Sequence, residues 1–339
     1  MSLVDKLPQD NSRGGALATL QQRAPVLKAL FAIAAIIAVP LFLGPFGMRV
    51  ANMGMIMGLS AMALTVLIGY AGLLSLGHAA FMAIGAFTAG ILAAEHGVGF
   101  IPSLLLGGLV GMAVGALVAL VTVRAFGLYL AIGTFALQYV VELVLTDIEV
   151  SMTYAVGFMM PTPSVFGHAL DNDTSWWFFN VACAAAVYGV LVWMLRGHVA
   201  RAWITSRDNP TVAATLGISI LRSRVGVFAV TSFIAGFAGA LQGYYGSIVQ
   251  VTNFPLHLSI VYVTVVVLGG LGNLFGAVIA ANFILVLPHV LEKALIAMGV
   301  NAMSGGAAVE SMALGAILIL VLLKAPQTVM SMLKGTKHD

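Results

Sequence analysis

Gln138 and Glu142 stand four residues apart in an otherwise apolar run, a spacing that sets an amide and a carboxylate on one face of a helix. If that run crosses a bilayer, the carboxylate is costly to bury and marks a functional hypothesis: a proton or cation relay, or a contact for a polar solute. Glu142 also lies near the end of its run, from which it can simply reach the interface. Tyr70, Ser75 and His78 fall in the glycine-rich stretch GYAGLLSLGHAAFMAIGAFTAG, and Asn282 in a second one, VVLGGLGNLFGAVIAANFIL. Tyr70, Ser75, Gln138, Glu142 and Asn282 together supply hydroxyl, amide and carboxylate groups suited to a solute in transit, and they are the candidates for lining a translocation path. Each also has a packing role available to it. Ser75 can cap a helix that begins near Leu76, Asn282 can bond a neighbouring helix, and His78 reads as a satisfied interfacial histidine before a proton carrier.

Other chemistry is excluded by what the chain lacks. No GxxxxGK[ST] loop occurs, since the Lys334 and Gly335 pair has the wrong order, so the chain by itself has no means to cradle and hydrolyse ATP and no cofactor is expected in it. The seven histidines include no HExxH pattern, and no GxSxG elbow is present. Cys183 is the single cysteine, which excludes an intrachain disulfide and a cysteine-based metal site and leaves it a packing role. A net charge of +3 is too small to argue for nucleic acid.

The elements that must carry these groups are set by composition. The 339 residues are 61% hydrophobic and 8% charged, with a mean hydropathy of +1.06, whereas a soluble domain is about a quarter charged. Such a chain is an all-α, polytopic membrane protein, because a span of about 20 apolar residues must satisfy its backbone internally. Apolar runs at 26–44, 50–68, 76–94, 101–123, 126–146, 175–195, 223–246, 258–272, 274–291 and 307–323 predict about ten transmembrane helices. The eighth and ninth are joined by LGGLGN and can also be one broken pair, which makes the range eight to ten.

With the N-terminus inside, thirteen of the 15 basic residues fall on the inner side and only Arg49 and Lys293 outside, the bias of the positive-inside rule. Both termini are then cytoplasmic. Residues 1–25 form a polar tail without the apolar core of a signal peptide, 26–325 the transmembrane domain, and 326–339 a second cytoplasmic tail. Residues 147–174 form an external loop with a short amphipathic or extended element, followed by Trp176 and Trp177 as an aromatic belt at the outer interface. Residues 196–224 form the largest internal loop, which holds Arg196, Arg201, Arg207, Arg222 and Arg224. Within it, Asn209 reads as an N-cap, Pro210 as the first helical residue and Gly217 as the stop, so a short rigid knob is expected between two spans. Such a knob suits a groove on another protein.

In the two glycine-rich stretches the small residues permit close helix contact, and interrupted helices in corresponding halves are what an internal pseudo-symmetric repeat produces along a transport path. GYAGLLSLGHAAFMAIGAFTAG, RAFGLYLAIGTFALQ, the SRDNPTVAATLGISILRSRVGVFAVTSFIAGFAGALQGYYG block and VVLGGLGNLFGAVIAA, in this order over about residues 45–325, resemble the LivM-type permeases of ABC importers for branched-chain amino acids. The resemblance implies a multi-pass protein of the bacterial inner membrane with the BtuCD-like, ten-helix permease fold. It implies a LivH-like second permease, two cytoplasmic LivG/LivF-like ATP-binding subunits that use ATP and Mg2+, and a periplasmic solute-binding protein as partners. It also implies that Arg207, Asp208, Asn209, Ala213, Ala214 and Gly217 form the coupling helix on the ATPase. The chain departs from the pattern at SMTYAVGFMMPTP, 151–163, where relatives carry a glycine-rich stretch, and the family also handles urea, amides and aromatic or dicarboxylic acids. The alternative reading is a stand-alone, ion-coupled secondary transporter or channel that requires Glu142.

Overall fold

The computed structural model describes residues 39–40, 42–122, 128–165, 167–297 and 315. The chain divides into two units, Met1–Met48 and Arg49–Asp339. In the first, helix α1 begins at Pro45, a residue whose missing N–H costs nothing at a helix start. The remaining description concerns the second unit.

Eight of the ten apolar runs each become a helix: α1 (Pro45–Gly69), α2 (His78–Ala94), α3 (Phe100–Val121), α4 (Leu128–Thr153), α5 (Asp173–Arg196), α8 (Ile220–Gly246), α9 (Leu256–Gly269) and α10 (Leu274–Ala297). The runs at 26–44 and 307–323 lie outside the described residues apart from isolated positions. Among the described residues, six helical segments are long and apolar enough to cross a membrane, with His78–Ala94 and Leu274–Val290 as shorter apolar helices. The expected pair after Ile248 is two separate helices, because the turn between α9 and α10 passes through Gly270 (φ 90°) and Gly272 (φ 85°), a backbone region that only glycine enters without strain.

The centre is made by α2, α3 and α8, which cross with almost no side chain between them. A Cβ on Gly107 would lie 2.6 Å from the Gly85 carbonyl oxygen and one on Gly236 2.7 Å from that of Gly107, while Gly239 sits against the backbone of Met82. In lipid, where the hydrophobic effect does not drive helices together, such backbone approach is what gains dispersion contacts. α1 and α8 are mostly buried, whereas α3, α4 and α5 turn large apolar side chains such as Leu109, Tyr139 and Trp193 outward.

The connections differ from expectation in three places. Residues 196–224 hold two helices, α6 (His198–Asp208) and α7 (Pro210–Thr215), where one short helix was expected. In 147–174, α4 continues to Thr153, past the apolar run that ends at 146, before the chain forms the extended element expected there, as the strands β1 (Phe158–Met159), β2 (Ser164–Val165) and β3 (His168–Ala169). β2 and β3 pair with each other, and β1 pairs antiparallel with β4 (Ile248–Val249), which places Phe158 opposite Val249. Trp176 and Trp177, expected as an interfacial belt, are both buried; Trp176 meets Phe100 and Tyr245 edge-on, so the ring is used to pack α5 against α3 and α8.

Candidate functional site

The end of the bundle where α1 terminates is built around the capped loop helix. Asn209 is extended (φ −151°, ψ 96°) and its Oδ1 accepts from Val212 N–H at 3.1 Å, Pro210 occupies the first turn, and Gly217 leaves the helix at φ 76°. These are the cap, start and stop that the residue types require. Ala213 is buried against the protein, while Ala214, Val212 and Leu216 are exposed. α7 therefore presents small and apolar groups at its tip and is seated by Ala213.

Arg207 ties this loop to the first glycine-rich segment. Its Nε donates to Asp208 Oδ1 at 2.8 Å, and a terminal guanidinium nitrogen donates to the carbonyl of Gly69. Gly72, at φ 67°, has room only for hydrogen where the Arg207 side chain passes: a Cβ there would meet its aliphatic stem, with Cδ at 2.8 Å. From the other side, a Cβ on Gly69 would lie 2.8 Å from Gly272 Cα, and Tyr70 Oη donates to the Gly272 carbonyl at 3.3 Å. The loop helix and both glycine-rich breaks thus meet at one point.

Beyond this junction α2 starts inside the bundle, where its first N–H groups have no water to bond. Side chains replace it. Leu76 N–H donates to Thr134 Oγ1 at 2.9 Å, and Ala79 N–H to Ser259 Oγ at 3.0 Å. Ser259 Oγ in turn donates to Gln138 Oε1 at 3.4 Å, and Gln138 Nε2 donates to the Phe254 carbonyl at 3.1 Å. Ser75 Oγ accepts from Gly77 N–H at 3.4 Å, but α2 begins at His78 with Gly77 at its N-cap and no side-chain cap. The cap expected on a helix from Leu76 is therefore a turn preceding one that starts two residues later. His78 is buried, with Nε2 at 2.8 Å from Ser60 Oγ and its ring edge-on to Tyr262 at 5.1 Å.

The five path candidates are not gathered in one chamber. Tyr70 lies at the junction, while Ser75 and Gln138 line the buried start of α2. Asn282 bonds the carbonyl of Val278 in its own helix at 2.9 Å and lies against Gly54 of α1. Glu142 is half-buried on a groove formed by α4 alone, beside Tyr139 and Asp147, so it does not share Gln138's environment.

At the opposite end, a cavity of about 570 Å3 opens between Arg49 of α1, residues 160–163 and 170–171, the start of α5 and the end of α8. Arg49 Nε pairs with Asp173 Oδ2 at 3.5 Å, and Tyr245 Oη donates to Asp173 Oδ1 at 3.1 Å. Asn52 Nδ2 donates to the Asp173 carbonyl at 2.8 Å, and Asn180 Nδ2 to Asn52 Oδ1 at 3.0 Å. Close by, buried Glu149 accepts from Val251 N–H at 2.7 Å. Sequence reasoning missed this cluster; the available signal was Arg49, one of two basic residues on the acidic side. Among the described residues no group of three His, Cys, Asp or Glu side chains could hold a metal.

Residues 47–322 match the family model described as branched-chain amino acid transport system / permease component. The chain is 31% identical over 284 residues to the high-affinity branched-chain amino acid transport system permease protein LivM of Salmonella typhimurium, a match covering 77% of this chain and 66% of that protein. It is 30% identical over 288 residues to the Escherichia coli protein of the same name, covering 77% and 68%. The chain thus spans about two thirds of the length of these curated relatives. No solved structure matches it significantly.

Proposed function

Because the chain belongs to the branched-chain amino acid transport permease family, we propose that it is the membrane permease of an ATP-driven importer, forming half of a translocation pathway for branched-chain amino acids. It works with a second permease, two cytoplasmic ATP-binding subunits and a solute-binding protein, and sits as a multi-pass protein in a bacterial inner membrane. In this reading the full chain has about ten helices in the BtuCD-like arrangement with both termini cytoplasmic.

The observation that carries the proposal is the loop helix α7: capped by Asn209, seated by Ala213, exposed at Ala214 and Leu216, and joined through Arg207 to the segment where α1 ends. A knob that is rigid on one side and free on the other can transmit displacement only if something grips it, and a nucleotide-dependent partner makes the differential contact that shifts the permease between states. Asp208 holds Arg207 in place, and Gly217 ends the helix without a side chain that would widen the knob.

The test is Ala214→Arg in the reconstituted importer. Since Ala214 is exposed, the variant inserts and melts like the wild type; leucine uptake and transport-dependent ATP hydrolysis fall by an order of magnitude or more, as expected when a buried charge is left unpaired at an interface. Wild-type uptake by that variant refutes docking at α7. Leucine uptake by the chain alone, without ATPases, refutes the importer reading and favours an ion-coupled carrier.

A further inference from the structure

The cavity at the end away from α7 is furnished as a binding site. Its walls carry one guanidinium, Arg49, opposite two carboxylates, Asp171 and Asp173, with Trp176, Met160 and Leu170 supplying apolar surface. Its volume of about 570 Å3 lies within the ~300–1,000 Å3 typical of small-ligand clefts. The groups are held in register from beneath. Asp173 is fixed by Tyr245 and Asn52, Asn52 by Asn180, and Trp176 is clamped edge-on by Phe100 and Tyr245. Asn180 Oδ1, at the base of this network, is a buried acceptor with no donor among the described residues, an uncommon state in a folded protein.

The charged groups, in contrast, are incompletely used. Arg49 meets Asp173 through Nε at 3.5 Å, longer than the ~2.7–2.9 Å of a charge-assisted bond, and its side chain is 75% exposed. Asp171 is exposed and has no hydrogen bond to the protein among the described residues. Ser247, on the same wall, is the left-handed cap that ends α8 (φ 62°) and turns the chain into the cavity rim.

We propose that this cavity is a reception subsite for the zwitterionic head of an amino acid, with Arg49 for the carboxylate and Asp171 and Asp173 for the ammonium. A guanidinium whose ion pair to Asp173 is long and made through Nε can take a carboxylate in bidentate fashion. A solute that is itself a linked cation and anion satisfies both walls without leaving either charge unpaired, and a branched aliphatic chain is accommodated by Met160, Leu170 and Trp176. A purely anionic solute would face two carboxylates, and a neutral amide would bring no charge for Arg49 or Asp171 to meet. The proposal rests on the importer reading above, in which solute arrives at this end.

The experiment uses the complete importer in proteoliposomes with leucine-loaded binding protein, reading labelled leucine moved per ATP hydrolysed. Arg49→Gln and Asp171→Asn each lower that ratio by about tenfold, the worth of one charge-assisted hydrogen bond, while the binding protein still stimulates ATP hydrolysis at its wild-type half-saturating concentration. Arg49→Lys recovers part of the ratio. An unchanged ratio overturns the proposal, and so does a parallel loss of uptake and stimulated hydrolysis with weakened binding-protein affinity, which would assign these charges to docking. Asp171 lies in an exposed loop, so its variant reports even if Arg49→Gln does not fold. A wild-type complex that moves no amino acid fails before any variant is compared and refutes the parent reading with it.

Discussion

Arg207 and Gly72 belong to one device. The guanidinium reaches the Gly69 carbonyl only because Gly72 has no Cβ in the way of its stem. Arg207→Ala and Gly72→Ala are therefore expected to lower ATP-coupled uptake to similar extents, about tenfold for one lost hydrogen bond to a charged donor, and the double variant to be little worse than either. Additive losses in that double-mutant cycle would show that the two residues act separately. Asn209, Pro210 and Gly217 were legible from residue type, since a cap, a missing donor and a positive φ are local requirements. Ser75 was misread for the opposite reason: the start of α2 is decided by Thr134 and Ser259 on distant helices, which take the N–H groups of Leu76 and Ala79. The pairing of Arg49 with Asp173 joins residues 124 positions apart, and nothing in either local sequence announces it.

At the scale of elements, small residues in the sequence indicated that helices approach closely, and the crossing of α2, α3 and α8 shows which helices they are. Gly239 lies against the Met82 backbone, whereas a Cβ at Gly189 in α5 would meet nothing within 4 Å. Backbone cannot move aside as the end of a flexible side chain can. Gly239→Val is thus expected to cost several kcal/mol, by overpacking beyond the usual ~1–3, and to abolish the folded complex in detergent. Gly189→Val should leave its melting temperature within a few degrees. If both variants melt alike, the close crossing is not what holds the centre together. The apolar periodicity that marked eight helices was silent on α6, an eleven-residue amphipathic helix in a stretch read as loop, because its arginines were counted as evidence of solvation, whereas Arg207 lies four residues from buried Trp203 on the face turned to the bundle and bonds the Gly69 carbonyl.

For the molecule as a whole, two chemically different ends follow from the course of the helices. α1 runs from Arg49 beside Asp173 to Gly69 beside Arg207, a rise of about 30 Å at ~1.5 Å per residue. In the proposed importer those ends face different compartments. Single cysteines at Ala214 and Asp171, with Cys183 replaced by alanine, should react with a membrane-impermeant maleimide from opposite sides: Ala214→Cys in inside-out vesicles and Asp171→Cys in intact spheroplasts. The reverse pattern would overturn the cytoplasmic assignment of α7 and exchange the roles proposed for the two ends. Composition and hydropathy alone determined that this chain is a multi-helix membrane protein, and the distribution of lysine and arginine determined the orientation to test, because bilayer insertion acts on each segment through its own residues. The short helix α7 was likewise written locally, in its cap and stop. Only the tertiary structure decided that Arg207 bridges to Gly69, that Gln138 serves the start of α2 while Glu142 stands apart, and that Arg49, Asp171 and Asp173 share a cavity. Those are meetings between segments far apart in the chain, and they are set by which helix surfaces pack together, a property no single segment contains.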